Sequence, residues 1–170
     1  MEKRILLPKT YLEKIEKPLI FLAGPIRYAV DWQEKAIDYL LSNDKDIIIA
    51  NPRWDASPRI RNMAIEGESK HFERQRAWER YHIKIASHTG AVLFWLANAP
   101  GFMTRFELGQ LTIKYEHDKS TRFCVGGEEG FMDIDTIKYD LSQDVPDKTL
   151  FYNLEETCSE AIKLAHQKCS

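Results

Sequence analysis

The chain has 170 residues, of which 44% are hydrophobic and 29% charged, with both signs interspersed and a formal net charge of −2. That length suits one domain able to bury about two-thirds of the surface its unfolded form exposes. The charge balance excludes a disordered chain and a generic polyanion-binding surface, so bulk nucleic acid is not expected as a partner.

Cys124, Cys158 and Cys169 have no CxxC spacing, and no charged start leads into an apolar signal region. A cytoplasmic protein in a reducing compartment is expected. The apolar runs fall short of the ~20 residues of a membrane-spanning helix, so no membrane association is expected either.

In chain order, residues 1–17 contain "KRILLPKTYLEKIEK", in which Pro8 interrupts a short apolar segment. They read as an N-terminal surface extension to a domain covering 18–170. Five apolar runs follow: "PLIFLAG" (18–24), "DIIIANP" (46–52), "GAVLFWLA" (90–97), "RFCVGG" (122–127) and "TLFYNL" (149–154). Short runs rich in Ile, Val and Phe and closed by Gly, Pro or Asn predict buried strands. Their nearly unbroken apolar character predicts a parallel sheet covered on both faces.

Helical patterns lie between the runs. Asp31 and Glu34 have capping-box spacing at the head of "DWQEKAIDYLLS"; "SKHFERQRAWERYHIKIAS" places Trp78, Tyr81 and Ile85 on one stripe; "EETCSEAIKLAHQK" closes the chain. The stretch 128–148 shows weak alternation and reads as a long connection, with an edge strand as an option. Strand and helix in alternation, with right-handed crossovers, give an open doubly wound α/β sheet of about five parallel strands. Ligands of such sheets sit beyond the carboxyl ends of the strands.

Candidate residues are therefore sought after each strand. Gly24 and Pro25 turn the chain after the first run and Arg27 follows; the alternative is an ordinary tight turn. Asn51, Arg53 and Trp54 follow the second, where Pro52 alone explains the stop. Arg59 and Arg61, further along, read as solvated. In the second helix, Gln75, Glu79 and either His82 or Ile83 share a face, which also fits a solvated edge. Glu107 is the sharpest case. Thr104 and Glu107 match the T-x-x-E capping box, but the same carboxylate follows the third strand at a helix N-terminus, where it could act as a nucleophile. There is no GxGxxG, no P-loop and no metal-ligand spacing, so no cofactor and no metal are expected.

In their order, "IFLAGPI", "WQEKAIDYL", "NPRW", "QRAWER", "GAVLFWLA" and "TRFELG" resemble the nucleoside 2-deoxyribosyltransferase-like family, over roughly residues 18–168, with "VGGEEGF" and "IKYDL" fitting its later segment. The resemblance implies a flavodoxin-like fold and cleavage or transfer at the N-glycosidic bond of 2′-deoxynucleosides or their monophosphates. It places the nucleophile on Glu107, through a covalent deoxyribosyl intermediate, and a helper carboxylate on Glu79, where the family usually has aspartate. It sets Gly24, Pro25 and Ile26 beside sugar and base. It also implies a homo-oligomer in which a neighbouring subunit completes the pocket, with Asn153 one candidate for that role.

One departure stands out. Family transferases often carry an aspartate between the third strand and ELG that meets the base, whereas "ANAPGFMTRF" has none; Asn98 can hydrogen-bond a base but is no acid. Two alternatives accompany the transferase reading. One is a deoxynucleoside 5′-monophosphate N-glycosidase, with Arg27, Arg53 and Arg105 clamping the phosphate. The other is a non-catalytic nucleotide-binding module of the same fold.

Overall fold

The computed structural model describes residues 4–53 and 69–167; Trp54, Arg59, Arg61 and Cys169 lie outside the described residues. The strands are β1 (Ile5–Leu6), β2 (Leu19–Ala23), β3 (Ile48–Ala50), β4 (Ala91–Leu96), β5 (Phe123–Gly127) and β6 (Leu150–Phe151). The helices are α1 (Trp32–Asn43), α2 (Ser69–Thr89), α3 (Phe102–His117), α4 (Ile134–Asp144) and α5 (Leu154–Ala165). All pairings are parallel, in the order β1-β3-β2-β4-β5-β6. This is a flavodoxin-like doubly wound sheet with one strand added at its edge.

Alternation along each strand divides the core. Leu19, Phe21 and Ala23 of β2, with Val92, Phe94 and Leu96 of β4, pack with Trp78 of α2, Leu108 and Leu111 of α3, and Ile134 of α4. Ile20, Leu22, Leu93 and Trp95 face the other way, against Trp32 and Leu40 of α1 and Cys158 and Ala161 of α5. A period of two in a strand buried on both faces makes every position apolar, which is why these runs carry no polar interruptions.

The local signals act as expected at α1 and differ elsewhere. Asp31 caps α1, its carboxylate accepting the Glu34 N–H at 3.1 Å. Residues 4–17 are part of the sheet's edge and cover, not a surface appendage: Ile5 and Leu6 pair with Ile49 and Ala50, and Leu6 is wholly buried. Further on, the Trp78 indole N–H donates to the Thr10 carbonyl at 2.7 Å, and Leu12 and Ile15 pack on the core.

Within 128–148 a helix forms where a long connection was expected. Asp133, in the left-handed conformation with φ 62°, starts α4, whose Ile134, Ile137 and Leu141 recur at i, i+3 and i+7. On α2, Tyr81 is exposed. His82 occupies the core in its place, with its ring 4.3 Å from that of Trp78 and its Nδ1–H donating to the Trp78 carbonyl at 2.8 Å. Burial lowers the His82 pKa.

The turn after β2 is fixed by close approach. A Cβ at Gly24 would lie 2.4 Å from the Trp95 carbonyl oxygen and 2.5 Å from the Trp32 ring. Gly24→Ala should therefore lower stability by about 1–3 kcal/mol through overpacking, read as a lower urea midpoint at constant slope. Gly109→Ala, in an exposed helical position where a Cβ meets nothing within 4 Å, should instead gain about 0.5–1 kcal/mol.

Candidate active site

The chain passes from β2 to β3 on one side and then crosses to β4 on the other, so the carboxyl ends of β2 and β4 frame the topological switch point. Gly24, Pro25 and Ile26 form one lip. The loop from Ala97 to Gly101 forms the other, and a Cβ at Gly101 would come within 3.2 Å of Pro25, so the lips touch. Trp32 pins the first lip from below, its indole N–H donating to the Pro25 carbonyl at 3.0 Å.

Helix α3 leaves from the second lip. Gly101 is its N-cap and supplies no side-chain hydrogen bond, so the T-x-x-E capping box does not form. Thr104 and Glu107 are interior helical residues, one turn apart and both buried. Glu107 Oε1 instead accepts from the Arg76 guanidinium of α2 at 2.8 Å. The same Arg76 nitrogen binds Glu79, one turn further along α2, and the Gln75 amide donates to the other Glu79 oxygen at 3.0 Å. Glu79 and Glu107 are each 8% exposed. One cation thus joins two nearly buried carboxylates across the α2–α3 seam.

The electrostatics follow from that count. Burial pushes the Glu107 carboxyl above its ordinary value, Arg76 pulls it back through a hydrogen bond and its charge, and Glu79 adds repulsion. Burial works against the Arg76 guanidinium, yet the two glutamates hold it above its ordinary value. A carboxylate so placed is desolvated and oriented, as a nucleophile needs.

The remaining candidates divide into lips and braces. Arg53 is 9% exposed and is spent on protein: its Nε donates to Gln33 at 2.9 Å and pairs with Asp31 at 3.2 Å, and its Nη2 reaches the Ile26 and Val30 carbonyls. Asn51 accepts the Arg53 N–H at 3.0 Å, closing an Asx turn. Arg105 lies over the Phe131 ring at 4.8 Å, donates to the Met132 carbonyl at 2.6 Å and pairs with Asp133. Arg27 is exposed. Asn153 caps α5, accepting from the Glu155 and Glu156 N–H groups.

Two residues were not singled out from sequence. Arg76 had a signal in its i, i+3 spacing to Glu79, but its bond to Glu107 spans 31 positions. Glu128 follows β5, and its Oε2 accepts the Asn98 N–H at 2.7 Å, bringing a carboxylate to a loop that has none of its own. Oε1 makes no other hydrogen bond among the described residues.

Comparison with protein-family models gives no match, and comparison with curated proteins gives none either. Among the described residues no group of three or more His, Cys, Asp or Glu could hold a metal ion, and no helix is long and apolar enough to cross a membrane.

Removing the shared cation tests the electrostatics. Arg76→Met should cost about 2–4 kcal/mol near pH 7, because two carboxylates are left buried without their partner. A carboxyl whose folded pKa is raised favours folding fully below its unfolded value and loses that contribution as pH rises through the folded pKa. The variant raises that pKa further, so its deficit against the parent chain should shrink between pH 7 and pH 4.5. Urea melts at both pH values measure this, and a pH-independent deficit would contradict it.

Proposed function

We propose that the chain is an enzyme acting at the N-glycosidic bond of 2′-deoxynucleosides, related to the nucleoside 2-deoxyribosyltransferase-like family, with Glu107 as nucleophile. The observation that carries this reading is the turn of Glu107 away from its own helix end into a dry ion cluster with Arg76 and Glu79, on the helix that opens at the switch point. A capping role would leave that carboxylate on backbone N–H groups and would need no second carboxylate beside it.

In the reaction, a Glu107 oxygen bonds to C1′ as the C1′–N bond breaks, and that electron pair leaves with the base, which takes up a proton. The deoxyribosyl ester is then opened at C1′ by the nitrogen of a second base or by water, which gives up a proton to solvent to balance the one taken up by the first base, and the carboxylate is regenerated. Arg76 fixes the orientation of the nucleophile, and Glu79 keeps the guanidinium from neutralising it alone. On this reading Glu128, whose Oε2 accepts the Asn98 N–H, would serve as acceptor for the N–H groups of a base, in place of the aspartate missing from 97–106. With Arg53 and Arg105 bound to the protein's own oxygens, a nucleoside is favoured over its monophosphate as substrate.

We also infer a homo-oligomer and a cytoplasmic location. Phe102, Phe106 and Ile113 make an apolar stripe on the solvent side of α3, each more than half exposed. The thiols of Cys124 and Cys158 are free, as suits a reducing compartment.

Brief exposure to mixed deoxynucleosides should add the mass of one deoxyribosyl unit to the intact protein. Glu107→Gln should show no adduct and more than about a thousandfold lower turnover, with its fold retained. Release of no base from any nucleoside or monophosphate, with nucleotide binding intact, would leave a binding module. For assembly, Phe106→Asp with Ile113→Asp should reduce the mass seen by light scattering to one chain; a parent protein already monomeric would refute the oligomer.

A further inference from the structure

At the opposite end of the sheet lies a cleft of about 420 Å³ between the end of α3, the amino ends of β5 and β6, and α5. Because the sheet is parallel, this is the end away from Glu107's switch point; β5 alone spans about 16 Å at about 3.3 Å per residue. In a chain of net charge −2 the cleft is basic: Lys119, Arg122, Lys148 and Lys163 line it, against Asp147 and Glu160. Both carboxylates are engaged. Asp147 accepts the Tyr115 hydroxyl, and Glu160 pairs with Lys163 at 3.2 Å.

Two cations lie against the same ring. The Lys119 and Lys148 ammonium groups lie 4.2 Å and 4.4 Å from the Tyr115 centroid, and Lys148 is also 5.2 Å from that of Phe123. Burial lowers the Lys148 pKa, with repulsion from Lys119 adding to it. The Asp147 carboxylate offsets part of this, and a bound anion would offset more. Thr121 supplies the matching donor: it is 1% exposed, lines the cleft, and its hydroxyl has no hydrogen-bond partner among the described residues. A buried hydroxyl left in that state is uncommon and calls for a partner, which a water or a ligand oxygen supplies. Two ammonium groups and a hydroxyl form a donor set suited to a tetrahedral oxyanion.

We propose that this cleft binds the phosphate group of a small molecule, at a site separate from the Glu107 cluster. The volume has room for more than the phosphate, so a phosphomonoester is accommodated as well as free phosphate. The proposal does not depend on the reaction assigned to Glu107.

Calorimetric titration with inorganic phosphate and, separately, with a pentose 5-phosphate tests it, at ionic strength held constant with chloride. Saturable binding is expected, weakened about tenfold or more in Lys119→Met with Lys148→Met and about threefold or more in Thr121→Val. Lys119→Met alone, at an exposed position, should weaken it measurably if the double variant does not fold. Tighter binding of the ester identifies an esterified ligand, and equal binding identifies free phosphate. Glu107→Gln should bind as the parent does. Unchanged affinity in Lys119→Met and Thr121→Val, no saturable binding, or loss of binding in Glu107→Gln would overturn the proposal.

Discussion

The candidate site depends on one guanidinium. Arg76 is the only cation bonded to Glu79 or Glu107 among the described contacts, and both carboxylates are almost out of water. In that setting Coulomb energy is several times larger than at the surface. One positive and two negative groups leave an excess negative charge between α2 and α3. On the proposed reading that excess is useful, because the sugar ring gains positive charge as its bond to the base lengthens. A second cation would hold Glu107 more firmly and oppose the same transition state.

The two loops at the switch point are held by side chains that could themselves be taken for ligands. Arg53 binds four oxygen-bearing neighbours at or near the first lip, and Arg105 ties the start of α3 to the Phe131–Asp133 loop. Arginine suits this work because its planar donors satisfy several carbonyls at once. The result is a frame in which Gly24, Pro25 and Gly101 approach closely without backbone freedom to spare. On the proposed reading, a nucleophile on a helix beside a closely packed rim would lose little entropy in reaching its target.

The sheet was legible in the sequence because a parallel strand covered on both faces is apolar at every position, and the runs at 18–24, 90–97 and 122–127 contain β2, β4 and β5 within one or two residues. Two features were not legible. β1 has only two residues, too few for any period to show, and it is held by its neighbour β3. α4 buries a narrow stripe amid acidic residues, and its start depends on a left-handed Asp133 that no pattern announces. At Glu107 the spacing itself was ambiguous. T-x-x-E describes a cap and an interior helical turn equally well, and the choice was made by where α3 begins, at Phe102 against a Gly101 cap. Arg76 was not singled out because its decisive partner is on another helix.

Stability alone gives no reason for this cluster. A seam between two helices is held well by leucine or methionine, and replacing a buried ion group by such residues often leaves a fold as stable or more so. Arg76 with one glutamate could be retained as a structural pair. A second glutamate raises the cost, since burial disfavours its ionised form and the first glutamate repels it. The fold accepts that cost on the helix that opens at the switch point, although uncharged polar side chains such as Gln33 and Thr157 and the ring of His82 are buried elsewhere. Two carboxylates held at such a cost on one cation, on a helix that opens at a switch point, fit a reactive group kept for its chemistry.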